Sequence, residues 1–180
     1  MNIFVTSPDP VLCAWALDSR RLVKMMTETA QSLCTANNVG PCKPTHHNHP
    51  VVKWAGASSA NSAWLFDHFL ALSGEYTFRF KKQFSLLAPM LEISGAFAST
   101  DGTCRTSFAN CARNASLDLD FTMFAVIPAY RMYLNARWRL EFARAAEPRT
   151  EYFDGESIRL SKKYPAPTWG ARGKPEWAEV

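Results

Sequence analysis

Several features are missing from this 180-residue chain, and each absence removes a class of function. No apolar run approaches the ~20 residues that a membrane-spanning helix needs, so no membrane partner is expected. The opening MNIFVTSPDP has no basic flank followed by an apolar core, so a secretory leader is not expected either. The five cysteines (Cys13, Cys34, Cys42, Cys104 and Cys111) are odd in number and lack CxxC spacing. This argues for reduced thiols in a cytoplasm rather than a disulfide framework. Walker-A, GxGxxG, GxSxG, HExxH and kinase signatures are all missing, and no cofactor is expected. Internal repeats are missing too. Charge of either sign is scarce: 20 basic against 16 acidic residues leave a net +4, a mild lean towards polyanions and far from a basic tail.

Apolar and aromatic residues are plentiful, at 47% and 13%. A chain of this length and composition can bury one real core, so one domain over residues 1–180 is expected. MNIFV reads as a short N-terminal strand stopped by the Ser-Pro-Asp-Pro turn at Ser7 to Pro10. From Val11 the pattern becomes helical. Leu22, Met25, Met26, Thr29 and Leu33 recur on one face, with Arg21, Lys24, Glu28 and Gln31 on the opposite stripe. Asp18 is placed to cap the part that begins at Ser19. Ser58 or Ser59 can cap a second long helix, whose Trp64, Leu65, Phe69, Leu72 and Tyr76 recur at helical spacing up to a boundary at Pro89. Residues 92–120 are small, polar and aperiodic and read as a long loop or insertion. A third helix is expected after Pro128, clustering Tyr130, Tyr133, Leu134, Trp138 and Phe142. Residues 161–180, rich in proline, glycine and tryptophan, read as irregular chain laid over the domain. The expected fold is mainly α: one compact domain of three or more long helices, a short N-terminal strand and an irregular aromatic tail.

Three constellations carry chemistry. KPTHHNHP, residues 43–50, gathers three of the four histidines between two prolines. A zinc site needs three or four ligands, and only Cys42 lies near His46, His47 and His49 at no standard spacing, so no metal is expected. A purely conformational loop is the plain reading. The alternative is that His46, Asn48 and His49 supply hydrogen bonds to a phosphate or a base edge. The second constellation is Asp18, Arg21, Lys24 and Glu28, at i, i+3, i+6 and i+10. An ordinary solvated face with a Lys24–Glu28 pair explains it. So does a rigid set in which Asp18 or Glu28 handles protons and Lys24 supplies an amine. The third interleaves cations and aromatics: Tyr130, Arg131, Tyr133, Arg137, Trp138 and Arg139, then Lys162, Lys163, Trp169, Arg172, Lys174 and Trp177. Core aromatics with a cationic rim would look like this, and so would a surface for an unstacked base.

The order of these pieces resembles a widespread family of small phage proteins. The matching residues are Met1 to Val5, Asp9-Pro10, Asp18, Leu22 to Met25, Glu28 to Gln31, Lys43 to Pro50, Asn61, Trp64-Leu65, Glu75 to Thr77, Arg79, Ala129 to Arg131 and Tyr133. That family is in turn distantly similar to pyrimidine-dimer DNA glycosylases of the phage endonuclease V type. Those are compact helical domains with an acidic residue and an arginine on the first long helix, an N-H-P loop and a tryptophan-containing tail. Asp18-x-x-Arg21 and Asn48-His49-Pro50 match here. The resemblance implies a DNA-base enzyme acting on a damaged or modified pyrimidine, with DNA as partner. It implies Asp18, Lys24 and Glu28 as catalytic residues, and Arg21, His46, Asn48, His49, Arg79, Tyr130 and Arg131 as substrate contacts. In that type a free N-terminal amine attacks the sugar C1′ after Met removal. Residue 2 here is Asn, whose bulk disfavours that removal, so the amine would be that of Met1 or of Lys24. A non-catalytic module that keeps the fold and binds nucleic acid or a protein, and an enzyme of free nucleotides, are the competing readings.

Overall fold

A computed structural model of the chain describes residues 2–98 and 104–180. Its architecture is mainly α, with six helices among the described residues. The first, α1, spans Pro10–Ala16 and α2 spans Ser19–Asn37. They are separate helices because Leu17 and Asp18 between them are extended. Asp9 caps α1 by accepting from Val11 N–H, and Asp18 caps α2 by accepting from the N–H groups of Arg20 and Arg21. The short α3 covers Pro50–Gly56, and α4 covers Ser59–Phe80, capped by Ser58. Then come α5 at Leu87–Glu92 and, after a long connection, α6 at Val126–Ala146. Helix α4 packs along α1 and α2, and α3 closes against both α2 and α4. The core holds the expected face of α2: Leu22, Met25, Met26, Thr29 and Leu33 are all buried. None of the helices is long and apolar enough to cross a membrane.

Several expectations are corrected. Residues 2–6 form no strand. The segment is threaded among the helices, with Ile3 and Val5 fully buried and Phe4 packed on Tyr130 and Tyr133. Phe4 takes a left-handed φ of 43°. Side chains meet several of its backbone groups where a neighbouring strand would have done so. Asn2 Oδ1 accepts from the N–H of Ile3 and Phe4, and the Thr6 carbonyl accepts from Arg131 Nε. Helix α4 stops well before Pro89, because Lys81 turns left-handed at φ 54° and caps it. Pro89 instead lies in the first turn of α5, where a missing N–H costs nothing. Helix α6 starts before Pro128 for the same reason.

The remaining corrections concern the irregular regions. The expected loop 92–120 falls partly on residues 99–103, which lie outside the described residues. Elsewhere it carries a 3₁₀ turn at Ser94–Phe97 and a small antiparallel pair, β1 (Arg113–Asn114) with β2 (Leu119–Asp120). Between α6 and the tail stands a ribbon not expected from the sequence, β3 (Glu151–Phe153) paired antiparallel with β4 (Ile158–Leu160). The tail itself is irregular apart from a 3₁₀ turn at Gly170–Arg172, and it is firmly attached. Trp169 is buried with its Nε1–H donated to the Ala16 carbonyl, and both Trp169 and Trp177 pack on buried Trp138. These tryptophans are core residues, so the plain reading of the tail aromatics holds for them.

Candidate active-site cleft

A cavity of about 870 Å³ opens between α2, α6, the start of α3 and the segments at Asn2–Phe4 and Asn110–Asn114. Its wall on α2 is Arg20, Arg21, Lys24, Met25 and Glu28. The charged stripe expected on that helix therefore faces a cleft rather than open solvent. Across from it, α6 presents Tyr133, Arg137 and Glu141 at i, i+4 and i+8. That spacing lines one helix face. His49 enters from the N-terminus of α3, and Cys111 and Arg113 from the long connection. Burial pushes the Cys111 thiol up from its ordinary value.

Two carboxylates line the space, Glu141 and Glu28, and Glu28 is the one beside the start of the chain. Its Oε2 accepts from the Asn2 backbone N–H at 3.0 Å, and its Oε1 lies 3.2 Å from Lys24 Nζ. The chain start and a lysine thus meet at one carboxyl group. The amine of Met1 lies outside the described residues. Asn2 is itself tied in place by its Nδ2, which donates to the Cys111 carbonyl at 3.2 Å.

Behind that group lies a buried ion network. Arg21 donates to Asp18 Oδ2 at 2.5 Å and, with both terminal nitrogens, to Glu141 at 2.7 and 3.2 Å. Glu141 Oε1 also accepts from Arg137 at 3.1 Å. Burial works against the Arg21 charge, yet Asp18 and Glu141 outweigh it and hold its pKa above the ordinary value. Such a bidentate pair fixes a guanidinium plane in a way a lysine could not. Asp18 does not line the cleft. It is 1% exposed, caps α2 with Oδ1 and accepts from Arg21 and Trp138 Nε1 with Oδ2. Its carboxylate is thus fully engaged in positioning Arg21.

The other expected residues divide. His49 caps α3, its Nδ1 accepting from Val51 N–H at 3.2 Å. In a neutral ring that leaves the proton on Nε2. His46 and Asn48 are exposed and do not line the cleft, and His46 takes a left-handed φ of 56° beside Thr45. Arg79 is a buried tie: its Nε pairs with Glu75 at 2.7 Å, and its other nitrogens donate to the Leu17 and Trp15 carbonyls. Tyr130 is buried, and its hydroxyl accepts from Cys111 N–H and donates to the Ala109 carbonyl. Arg131 sits over the Trp177 ring and lines a separate cavity of about 510 Å³ with Trp15 and Arg172. Among the described residues there is no group of three or more His, Cys, Asp or Glu side chains that could hold a metal.

Sequence reasoning missed Asn2, Glu141 and the β1 side of the cleft. The Tyr133–Arg137–Glu141 spacing was the one available signal. Charged and aromatic residues repeated every fourth position on α6, in a helix that carries apolar residues on every side.

No curated protein and no solved structure matches the chain. Residues 1–87 match the family model of the pyrimidine dimer DNA glycosylases, a stretch that takes in α1 to α4 with Lys24, Glu28 and His49. The first half of this chain is therefore distantly similar to glycosylases of the phage endonuclease V type.

Proposed function

We propose that the cleft belongs to a DNA glycosylase that draws a damaged or modified pyrimidine nucleotide out of the duplex and breaks its bond from C1′ to the base nitrogen. The observation that carries this reading is the 3.0 Å hydrogen bond from the Asn2 N–H to Glu28 Oε2, inside a cleft with a cationic rim. When the base leaves with the bonding pair, positive charge develops at C1′ and the ring oxygen. A fixed carboxylate beside them stabilises that charge. Glu28 is that group. A neutral amine next to the same carboxylate can form a bond to C1′ as the base departs, giving one N–H proton to the departing base and the other to the ring oxygen as the C1′–O4′ bond breaks, which leaves an imine. Among the described residues one amine qualifies by position: Lys24, whose Nζ is 3.2 Å from Glu28 Oε1.

The remaining residues fit binding roles. Arg20, Lys24 and Arg113 are exposed on the rim and suit phosphates, which position the strand without reading it. Tyr133 and Phe4, buried and stacked on one another, form an apolar part of the cleft wall. His49 lines the cleft at the start of α3. Asp18 acts through Arg21, as a positioning residue. A DNA substrate places the protein inside a cell, where its thiols stay reduced.

A panel of duplexes with damaged and modified pyrimidines tests the proposal, scored for free base and for a borohydride-trapped protein–DNA adduct. Base release is expected from at least one substrate, with a fall of roughly 10²- to 10³-fold in Glu28→Gln, the size seen when one group stabilising developing charge is removed. Free base without an adduct would identify water as the nucleophile. Neither product from any substrate would leave a non-catalytic binding module.

A further inference from the structure

The ribbon β3–β4 stands on the same helix face as the cleft. Arg144 follows Tyr133, Arg137 and Glu141 at i+11, so the stripe that lines the cleft continues to the end of α6. There a second cavity, about 340 Å³, opens at the root of the ribbon. Arg144, Arg149, Lys162 and Lys163 line it against a single acid, Glu147. Arg144 lies 3.7 Å from the Tyr164 ring centroid, which ties the returning chain to the helix. Arg20 on the cleft rim donates to the Pro165 carbonyl at 2.9 Å, which fixes this root beside the cleft.

Beyond the root, every residue of both strands is exposed. The register pairs Glu151 with Leu160, Tyr152 with Arg159 and Phe153 with Ile158. Because side chains alternate, Phe153, Ile158 and Leu160 share one face with Glu151, and Tyr152 and Arg159 share the other. Phe153 and Ile158 are 68% and 71% exposed, an apolar face standing in water. The turn is well formed. Asp154 Oδ1 accepts from the N–H of Glu156 and Ser157, its other oxygen pairs with Arg159, and Gly155 supplies the required φ of 105°. The result is a stiff two-stranded ribbon with a cationic foot and an apolar side, next to a cleft that we assign to DNA.

We propose that this ribbon is a second DNA-contacting element, which enters the major groove beside the nucleotide held in the cleft. This rests on the glycosylase reading of the cleft. The major groove, about 12 Å wide, admits a two-stranded ribbon. In that groove thymine presents a methyl group, the apolar feature that Phe153, Ile158 and Leu160 can bury. The foot cations Arg149, Lys162 and Lys163 then meet the flanking phosphates. Charge complementarity favours this occupant over a second copy of the chain, whose own ribbon foot would be equally cationic.

Fluorescence anisotropy with a short labelled duplex tests the proposal in three arms. Phe153→Ser with Ile158→Ser should weaken binding about tenfold and leave the salt dependence unchanged, because it removes only apolar burial. Lys162→Ala with Lys163→Ala should reduce the slope of log K against log salt by roughly 1.8, from two lost phosphate contacts. Replacing flanking thymines by uracil should weaken wild type roughly three- to fivefold and leave the Phe153/Ile158 variant unaffected. The last arm needs no change to the protein. If wild type binds no duplex at low salt, the glycosylase reading fails and takes this one with it. If wild type binds and all three arms match it, the ribbon proposal alone is overturned. A wild-type dimer made monomeric by the serine variant, with DNA affinity intact, would also overturn it.

Discussion

Removing the carboxylate of Asp18, which does not itself line the cleft, should make the protein unfold more readily. Asp18 has three duties at once: it caps α2, accepts from Trp138 Nε1 at 2.9 Å and pairs with Arg21 at 2.5 Å. Loss of a cap costs about 1 kcal/mol. A buried indole N–H left without an acceptor costs about 1–3 kcal/mol. Breaking a buried ion pair outright costs about 3–5 kcal/mol, but Arg21 keeps its bidentate contact with Glu141, so only part of that applies. These contributions share atoms and do not add fully, and about 3 kcal/mol is the expected cost of Asp18→Ala. Asp18→Asn keeps the cap but turns an amide N–H towards two donors, and should cost about 2 kcal/mol. With a urea slope of about 2–3 kcal/mol per molar, the alanine variant should unfold at a urea concentration lower by about 1 M or more, with the slope unchanged. A midpoint within about 0.3 M of wild type would refute the claim that this network stabilises the fold. In the cold, where Asp18→Asn is folded, it should still release base, in contrast to Glu28→Gln.

Three further outcomes follow from the same geometry. His68 is fully buried and its pKa is pushed down to about 4 by desolvation, so the unfolded chain takes up a proton near the ordinary 6.5 before the folded one does. Its contribution is present above pH 6.5 and is lost as pH falls towards 4, by about 3 kcal/mol, a slope that melting curves should show in wild type and not in His68→Gln. Cys104 is exposed, whereas the Cys42 hydrogen bond that lowers the Cys34 thiol to about 7 holds it in a site only 1% exposed; an aromatic disulfide reagent should therefore label one thiol fast, and Cys104→Ser should abolish that phase. Arg20→Ala should reduce the salt slope of DNA binding by about 0.9, while Arg131→Ala should not, because Arg131 lines a different cavity and holds the Thr6 carbonyl.

Local signals were read well where local physics decides. The apolar period of α2, the Asp18 cap and the Ser58 cap each depend on neighbours within one or two turns, and each is present in the structure. The sequence leaves the stripe bearing Arg21 open between a solvated face and a rigid functional set, because periodicity alone does not say what a charged face meets. The burial of Arg21 depends on Glu141, 120 residues away, and no local pattern carries that information. MNIFV has strand composition, but a strand needs a partner, and the side chains of Asn2 and Arg131 supply hydrogen bonds to residues 3, 4 and 6 instead. The ribbon was legible and overlooked: Asp154-Gly155 between Tyr152-Phe153 and Ile158-Arg159-Leu160 is a hairpin signal. Of the residues expected to handle substrate, Arg21, Lys24, Glu28 and His49 converge on the cleft. Arg79 and Tyr130 look alike in sequence but are structural ties. Only the third dimension separates a cation facing a cavity from one facing a carbonyl.

The similarity to pyrimidine dimer glycosylases ends at residue 87, yet the cleft cannot be built from that half. Glu28, Lys24 and His49 lie within it, while Tyr133, Arg137 and Glu141 lie beyond it and form the opposite wall. The halves are joined at the contacts that set the site. Trp138 donates to Asp18, Glu141 holds Arg21, and Phe4 packs between Tyr130 and Tyr133. The segment bearing Asn2 is thereby fixed against Glu28 by residues that the matched stretch does not contain. In the proposed glycosylase reading, the carboxylate that would assist bond breaking comes from the first half, whereas the opposite wall of the cleft comes from the second half, where the similarity offers no guide. A substrate inferred from the family alone would therefore rest on only one of the cleft's two walls.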